Sequence, residues 1–207
     1  IEELTINSNT NASVLDLTAV NAAKTITLAG NADTKITAVA ATVTTVDGTT
    51  ATGKLNLDLT AATALNNVAT GSADDIIKIN AATLIANAQI NGGAGEDTLV
   101  VTNGSGSAKT LQLSMSDVEK VSVGALAAGN HVLLSNTNTS GLSTVDVTDA
   151  LAAKLSLVNL SGSDMTVNGK AASAAAGEVY LDNSGATTVN LSATAENVTA
   201  KTTTIND

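Results

Sequence analysis

The sequence predicts an all-β protein, and within that class a right-handed parallel β-solenoid of the β-helix or β-roll kind with about 22 residues per turn. Three observations lead to this expectation. Apolar and polar residues alternate along the chain, similar segments recur at a nearly constant interval, and the 207 residues include no Phe, Trp, Cys or Pro and a single Tyr. Stacked strands of Val, Ile, Leu, Ala and Thr suit a narrow interior that aromatic rings would not fit.

The strands are predicted from period-two alternation, which places successive side chains on opposite faces. In chain order the predicted strands are LTINS, LDLTA, TITLA, KITAV, LNLDLTA, IKINA, LVVTN, TLQLS, VSVGA, HVLLS, VDVTD, LSLVNL, MTVNG, VYLDN and TVNLSA.

The strands fall into two classes, and the first class sets the repeat. It begins at Leu15, Ile36, Leu57, Ile77, Leu99, Val121, Val145, Met165 and Val189, at intervals of 20 to 24 residues. The second class is less regular and lies about half a period away, near Leu4, Ile26, Val43, Ile90, Leu111, Leu133, Leu157 and Leu181. The interval is too short for a propeller blade of about 40 to 45 residues and fits one solenoid turn. The right-handed sense follows from the bias of crossovers between parallel strands.

Matched turns favour the solenoid over a meander of antiparallel hairpins. LDLTAVNAAKTITLAGNAD and LDLTAATALNNVATGSADD both run from an aliphatic, Asp, aliphatic, Thr strand to a Gly-containing turn that ends in Asp. Two-residue hairpin turns would give a shorter spacing and no such matching. We expect residues 1–207 to form a single solenoid segment that is part of a longer chain.

The charge is acidic, with a formal net charge of -10 and nine basic residues that are all Lys. Without Arg and nearly without aromatic residues, neither phosphate neutralisation nor base stacking is available, so nucleic acid is not expected as a partner. An acidic surface instead attracts divalent cations. No apolar run is long enough to span a bilayer, so membrane insertion is not expected either.

One segment carries a metal-binding pattern. Residues 92–100, GGAGEDTLV, match every fixed position of the nonapeptide G-G-x-G-x-D-x-U-x, a calcium-binding repeat. Residues 70–78, TGSADDIIK, are a degraded copy, and Asp75 precedes Asp97 by 22 residues, which predicts that the two turns stack. Glycines allow carbonyl oxygens to point inward, and the Asp adds a carboxylate, so two stacked turns offer oxygen ligands for Ca²⁺.

The predicted Ca²⁺ ligands of residues 70–100 are Gly71, Ala73, Asp75, Gly93, Gly95 and Asp97. Secondary candidates are Asp74 and Glu96 beside them, and Asp33 and Asp164 at the ends of other turns. The alternative is that GGAGED is a flexible Gly-rich turn without a metal.

The nonapeptide, the Ala/Thr/Asn/Gly-rich composition and the phrase MSDVEKVSV at residues 115–123 resemble RTX-type S-layer proteins and related type I-secreted surface proteins of Gram-negative bacteria. The resemblance implies calcium-dependent folding after export, a cell-surface location, and assembly with copies of itself into a lattice or filament. The alternative is the stalk of a secreted calcium-dependent adhesin, in which another domain contacts a partner such as a surface polysaccharide. Consecutive copies of the full nonapeptide, usual in that family, are missing here.

Catalysis is not expected. The single histidine, His131, has no Cys and no G-x-S-x-G motif to accompany it, and no zinc motif is present. Solenoid enzymes that act on polysaccharides place basic groups and aromatic platforms along a groove, whereas this chain has no Arg. The paired acids are better explained as turn carboxylates for a metal.

Overall fold

The computed structural model describes residues 2–80, 88–102, 110–124, 131–135, 139–148, 154–158, 165–169, 178–182, 189–193 and 201–202. Every regular element within these residues is a β-strand. The all-β prediction is therefore confirmed.

The strands are short, as expected for segments that each cross one side of a solenoid turn. They are β1 (Glu3–Asn7), β2 (Ser13–Leu17), β3 (Thr25–Gly30), β4 (Thr34–Val39), β5 (Thr45–Ala51), β6 (Leu55–Asp58), β7 (Asn67–Ala69), β8 (Ile76–Asn80), β9 (Gln89–Asn91), β10 (Thr98–Thr102), β11 (Thr110–Gln112), β12 (Ser114–Ser116), β13 (Lys120–Val123), β14 (His131–Ser135), β15 (Thr144–Val147), β16 (Lys154–Val158), β17 (Met165–Gly169), β18 (Glu178–Asp182), β19 (Val189–Ala193) and β20 (Lys201–Thr202).

The strands form three sheets in which every pairing is parallel. The long sheet has nine strands in the order β2-β4-β6-β8-β10-β13-β15-β17-β19. The N-terminal sheet has the order β1-β3-β5-β7-β9-β12, and the C-terminal sheet has the order β11-β14-β16-β18-β20. Because each strand pairs with the equivalent strand one turn away, the chain winds as a parallel β-solenoid of about 22 residues per turn, as predicted.

The long sheet follows the predicted first class of strands closely. Leu15, Ile36, Leu57, Ile77, Leu99, Val121 and Val145 lie in one continuous register column. The prediction is wrong by two residues at the next strand, where Val145 pairs with Val167 and not with Met165. Met165 and Val167 alternate with polar residues in the same phase, so the pattern alone does not distinguish them.

The second class of strands was only partly predicted. Leu4 pairs with Ile26 as expected, but Ile26 pairs with Val46 rather than Val43. Val43 is buried, yet its amide donates to the carbonyl oxygen of Ala40 in the turn before β5. Val43 and Val46 are both apolar and buried, so the sequence pattern did not show that Val43 lies in the turn and Val46 in the strand.

The later members of the second class lie in a different sheet. The N-terminal sheet continues through Val68 and Ile90 to Met115. The residues predicted near Leu111, Leu133, Leu157 and Leu181 instead lie on strands of the C-terminal sheet, where Leu157 pairs with Leu134 and with Leu181. The turn of β11, β12 and β13 therefore has a strand in each of the three sheets, and beyond it the strands of the C-terminal sheet alternate along the chain with those of the long sheet. The two-class alignment did not anticipate this change of sheet.

The core is a column of aliphatic layers inside the coil. Alternate residues of β8 and β10 are buried, and Ile77 and Leu99 are 1% and 0% exposed. The aliphatic residue that follows each of the two Gly-containing turns therefore points into the core. The largest fully buried side chains are Ile26, Leu28, Ile36, Leu55, Leu57, Leu59, Leu65, Ile77, Ile79, Ile90 and Leu99.

Candidate metal site

The two predicted calcium turns lie one above the other. They precede β8 and β10, which pair with Ile77 opposite Leu99. The main-chain amide of Ala94 donates to the carbonyl oxygen of Gly71 at 2.9 Å, and the amide of Thr98 donates to that of Asp75 at 2.9 Å. The predicted stacking of residues 70–75 on residues 92–97 is therefore confirmed.

Glycines in the GGAGED turn (residues 92–97) adopt a backbone conformation that other residues rarely take. Gly93 has φ 92° and Gly95 has φ 129°. A Cβ atom on Gly93 would overlap the Gly71 carbonyl oxygen, and one on Gly95 would lie 2.7 Å from the Ala73 carbonyl oxygen. The predicted carbonyl ligands of the earlier turn thus face the main chain of the GGAGED turn at close range.

Asp75 is a buried cap of its own turn, with 1% of its surface exposed. Its Oδ1 accepts from the amide of Leu55 at 2.7 Å, and its Oδ2 accepts from the amide of Gly71 at 3.1 Å. Burial raises the pKa of the Asp75 carboxyl, while these hydrogen bonds act in the opposite direction. Both carboxylate oxygens therefore have main-chain partners.

Asp97 is as buried as Asp75, but only one of its two carboxylate oxygens accepts a hydrogen bond. Its Oδ1 accepts from the amide of Asp75 at 2.7 Å, whereas its Oδ2 is buried and has no hydrogen-bond partner. The pKa of this carboxyl is raised to about 7, chiefly by burial; the hydrogen bond from the Asp75 amide opposes the rise, and the negative charges of Asp75, Glu119 and Asp74 add to it. A buried carboxylate oxygen without a donor is unfavourable unless another positive group reaches it.

The difference between the two acids has a local cause. The amide of Gly93 is the counterpart of the Gly71 amide that binds Asp75, but it donates to Oδ1 of Asn91 at 2.8 Å. Asn91 pairs in register with Ala69, whose side chain has no acceptor. The Asn therefore takes the donor that would otherwise satisfy Asp97.

Gly92 packs against the unpartnered oxygen and against the next turn. A Cβ atom on Gly92 would lie 2.6 Å from Oδ2 of Asp97 and would overlap the carbonyl oxygen of Asp117. Asp117 belongs to the next turn and has φ 53°, a left-handed conformation rare for a residue with a side chain. One carboxylate oxygen and one carbonyl oxygen thus approach the same point.

Glu119 is the residue that the sequence analysis did not place in the site. Its Oε2 accepts from the amide of Asp97 at 2.7 Å, just as Asp97 accepts from the amide of Asp75. Asp75, Asp97 and Glu119 therefore form an acidic column, with one carboxylate in each of three adjacent turns. The signal was present, since Glu119 follows Asp97 by 22 residues, but the segment before it, residues 114–118, contains none of the glycines of the nonapeptide.

The three secondary candidates that the structure describes lie outside this column. Asp33, Asp74 and Glu96 are exposed. Oδ1 of Asp33 accepts from the amide of Lys54 at 3.0 Å, and Oδ1 of Asp74 accepts from the amide of Glu96 at 2.9 Å. Asp164 lies outside the described residues.

Side chains alone do not form a complete metal site. Among the described residues, no three His, Asp or Glu side chains come together in a metal-binding group. A cation at the acidic column would therefore need main-chain carbonyl oxygens and water as further ligands, which is common for Ca²⁺.

The described part of the chain contains no helix with the length and apolar character needed to cross a membrane. Comparisons of the chain with family models, with curated proteins and with solved structures found no match.

Proposed function

We propose that this chain is a structural, calcium-stabilised β-solenoid of the bacterial cell surface, which associates with copies of itself into an S-layer lattice or filament. The observation that carries the calcium part is the buried, unpartnered Oδ2 atom of Asp97 in the turn that matches the nonapeptide. A hard cation would compensate that oxygen, and carboxylate and carbonyl oxygens are its preferred ligands.

The surface role is supported by the character of the whole chain. The net charge of -10 and the absence of Arg and Cys suit an exported protein in a calcium-containing medium. A stack of short repeats that contact only their neighbours is an architecture for extended scaffolds. The resemblance to RTX-type surface proteins points the same way, including type I secretion from a Gram-negative cell. We expect no catalytic activity.

The proposal is tested by titrating calcium into the chelator-treated chain. Thermal unfolding, followed by circular dichroism, and particle size, followed by light scattering, are measured with Asp97→Asn as the variant. We expect calcium to raise the unfolding temperature and to produce large assemblies for the wild type only. Saturation at about 100 times the Kd would contribute about 2.7 kcal/mol.

Two other outcomes point elsewhere. A chain that binds calcium and stays monomeric favours the stalk of an adhesin over a lattice. A chain whose stability and size ignore calcium shows that GGAGED is an ordinary turn, and the proposal then fails.

A further inference from the structure

We propose that the cation binds between the GGAGED turn and the following turn, at Oδ2 of Asp97, the carbonyl oxygen of Asp117 and the carboxylate of Glu119. Asp75 is then a structural cap and not a ligand. This inference rests on the proposed calcium binding and moves the site one turn further along the solenoid than the nonapeptide and its degraded copy predict.

The earlier interval, between residues 70–75 and 92–97, is already closed. Both oxygens of Asp75 accept main-chain amides. The carbonyl oxygen of Gly71 accepts the amide of Ala94, and the main chain of Gly93 lies directly against it. A cation placed there would have to displace these contacts before gaining its own.

The later interval also contains main-chain hydrogen bonds, but unlike the earlier one it has a buried carboxylate oxygen that accepts none. Oδ2 of Asp97 has no partner and lies near the Asp117 carbonyl oxygen, because both are within 2.6 Å of the position of a Gly92 Cβ atom. The amide of Gly92 donates to the carbonyl oxygen of Ser116 at 3.0 Å, which holds the two turns in contact. Gly92 therefore has to lack a side chain, because the Asp117 carbonyl oxygen and Oδ2 of Asp97 both pack against it.

Charge also favours this interval. The Oε2 atom of Glu119 is 2.7 Å from the amide nitrogen of Asp97, so the two carboxylates lie in adjacent turns. Two carboxylates in one partly dry site repel each other unless a divalent cation lies between them. Their hard oxygens, with a carbonyl and water, suit the six to eight flexible ligands of Ca²⁺ better than the strict octahedron of Mg²⁺.

The experiment measures calcium affinity of the full chain by isothermal titration calorimetry after chelator treatment. Glu119→Gln removes the charge but keeps an oxygen that can accept the amide of Asp97, so the fold should persist. We expect it to weaken binding at least tenfold, and Asp97→Asn to weaken it more. Asp75→Asn should change affinity less than about threefold while lowering the unfolding temperature.

Asp47→Asn is the matched control, because Asp47 is an exposed acid whose Oδ1 caps Thr49 within its own segment. It removes the same charge and should leave calcium affinity unchanged. A second measurement needs no variant: in amide NMR spectra of the wild type, calcium should shift residues 92–97 and 117–119 more than residues 71–75.

The outcomes separate this inference from the proposed function. If the wild type binds calcium, but Asp75→Asn abolishes binding while Glu119→Gln does not, calcium binding stands and the location is wrong. Larger NMR shifts at residues 71–75 would lead to the same conclusion. If the wild type binds no calcium at millimolar concentration, the proposed function fails and this inference fails with it.

Discussion

At the scale of single residues, Asp75 and Asp97 differ by one hydrogen bond. The amide of Gly71 satisfies Asp75, whereas the amide of Gly93 is taken by Asn91. The two turns are otherwise stacked in register. The loss of this one donor is therefore what leaves Oδ2 of Asp97 able to bind a cation, whereas both oxygens of Asp75 are already hydrogen-bonded.

Replacing Asn91 should convert the second turn into a copy of the first. In Asn91→Ala the amide of Gly93 becomes free to reach Oδ2 of Asp97. We expect calcium affinity to fall at least about fivefold, equivalent to about 1 kcal/mol, while the stability of the calcium-free protein changes by less than about 1 kcal/mol. Calorimetry and thermal unfolding measure the two quantities. Gln89→Ala, at an exposed position of the same strand, is the control, and unchanged affinity in Asn91→Ala would contradict the argument.

Asp97 should also give the calcium-free protein an unusual pH dependence. Its pKa is raised from 3.8 to about 7 in the folded chain, so folding favours the protonated form. The stability associated with this proton is present at low pH and is lost as the pH rises from about 4 to about 7, at about 1.4 kcal/mol per pH unit. Asp75 contributes in the same direction.

We therefore expect the unfolding temperature of calcium-depleted protein to rise between pH 8 and pH 5, and the rise to shrink in Asp97→Asn. The window stops at pH 5 because Asp16 and Asp58, whose pKa values are lowered, oppose the effect in stronger acid. Hydrogen bonds from Thr18 lower the pKa of Asp16, and at Asp58 burial raises the pKa but is outweighed by hydrogen bonds from Thr60 and Lys78. Equal pH profiles for the wild type and the variant would show that Asp97 is not the group responsible.

At the scale of elements, each strand anchors the adjoining turn to the core through the side chains that point inward, which alternate with side chains that point outward. In β10, Leu99 is fully buried, whereas Val100 is on the outer face and half-buried. We expect Leu99→Ala to lower the free energy of unfolding by about 2 to 5 kcal/mol. Val100→Ala, the matched control, should cost less than about 1 kcal/mol. Denaturant unfolding checks both, and similar losses would contradict the assigned register.

Strand positions were predictable wherever alternation and spacing agreed, as for the column from Leu15 to Val145. Prediction failed where apolar residues served two purposes, as Val43 does in a turn before β5. Prediction from the sequence also failed for the metal site. The spacing of Glu119 was visible, but Oδ2 of Asp97 lacks a partner only because the Gly93 amide donates to Asn91. The hydrogen bond between the Asn91 side chain and the Gly93 amide is a local contact within one turn, and the spacing of the repeats does not predict it.

At the scale of the whole molecule, the solenoid is a one-dimensional stack in which each turn contacts its neighbours. The acidic column spans only the turns that contain Asp75, Asp97 and Glu119. Stabilisation by a cation at one interval should therefore act most strongly on the strands beside it, and less on turns several layers away.

We expect hydrogen exchange to show this gradient. In the chelator-treated chain, the amides of β10 and β13, on either side of the proposed site, should exchange faster than in calcium, while those of β3 and β4 should change little. Glu119→Gln measured in calcium should resemble the wild type in chelator. Mass spectrometry of exchanged peptides gives the required resolution. A uniform change along residues 2–124 would instead mean that these turns unfold as one cooperative unit, so that a cation at a single interval stabilises all of them together.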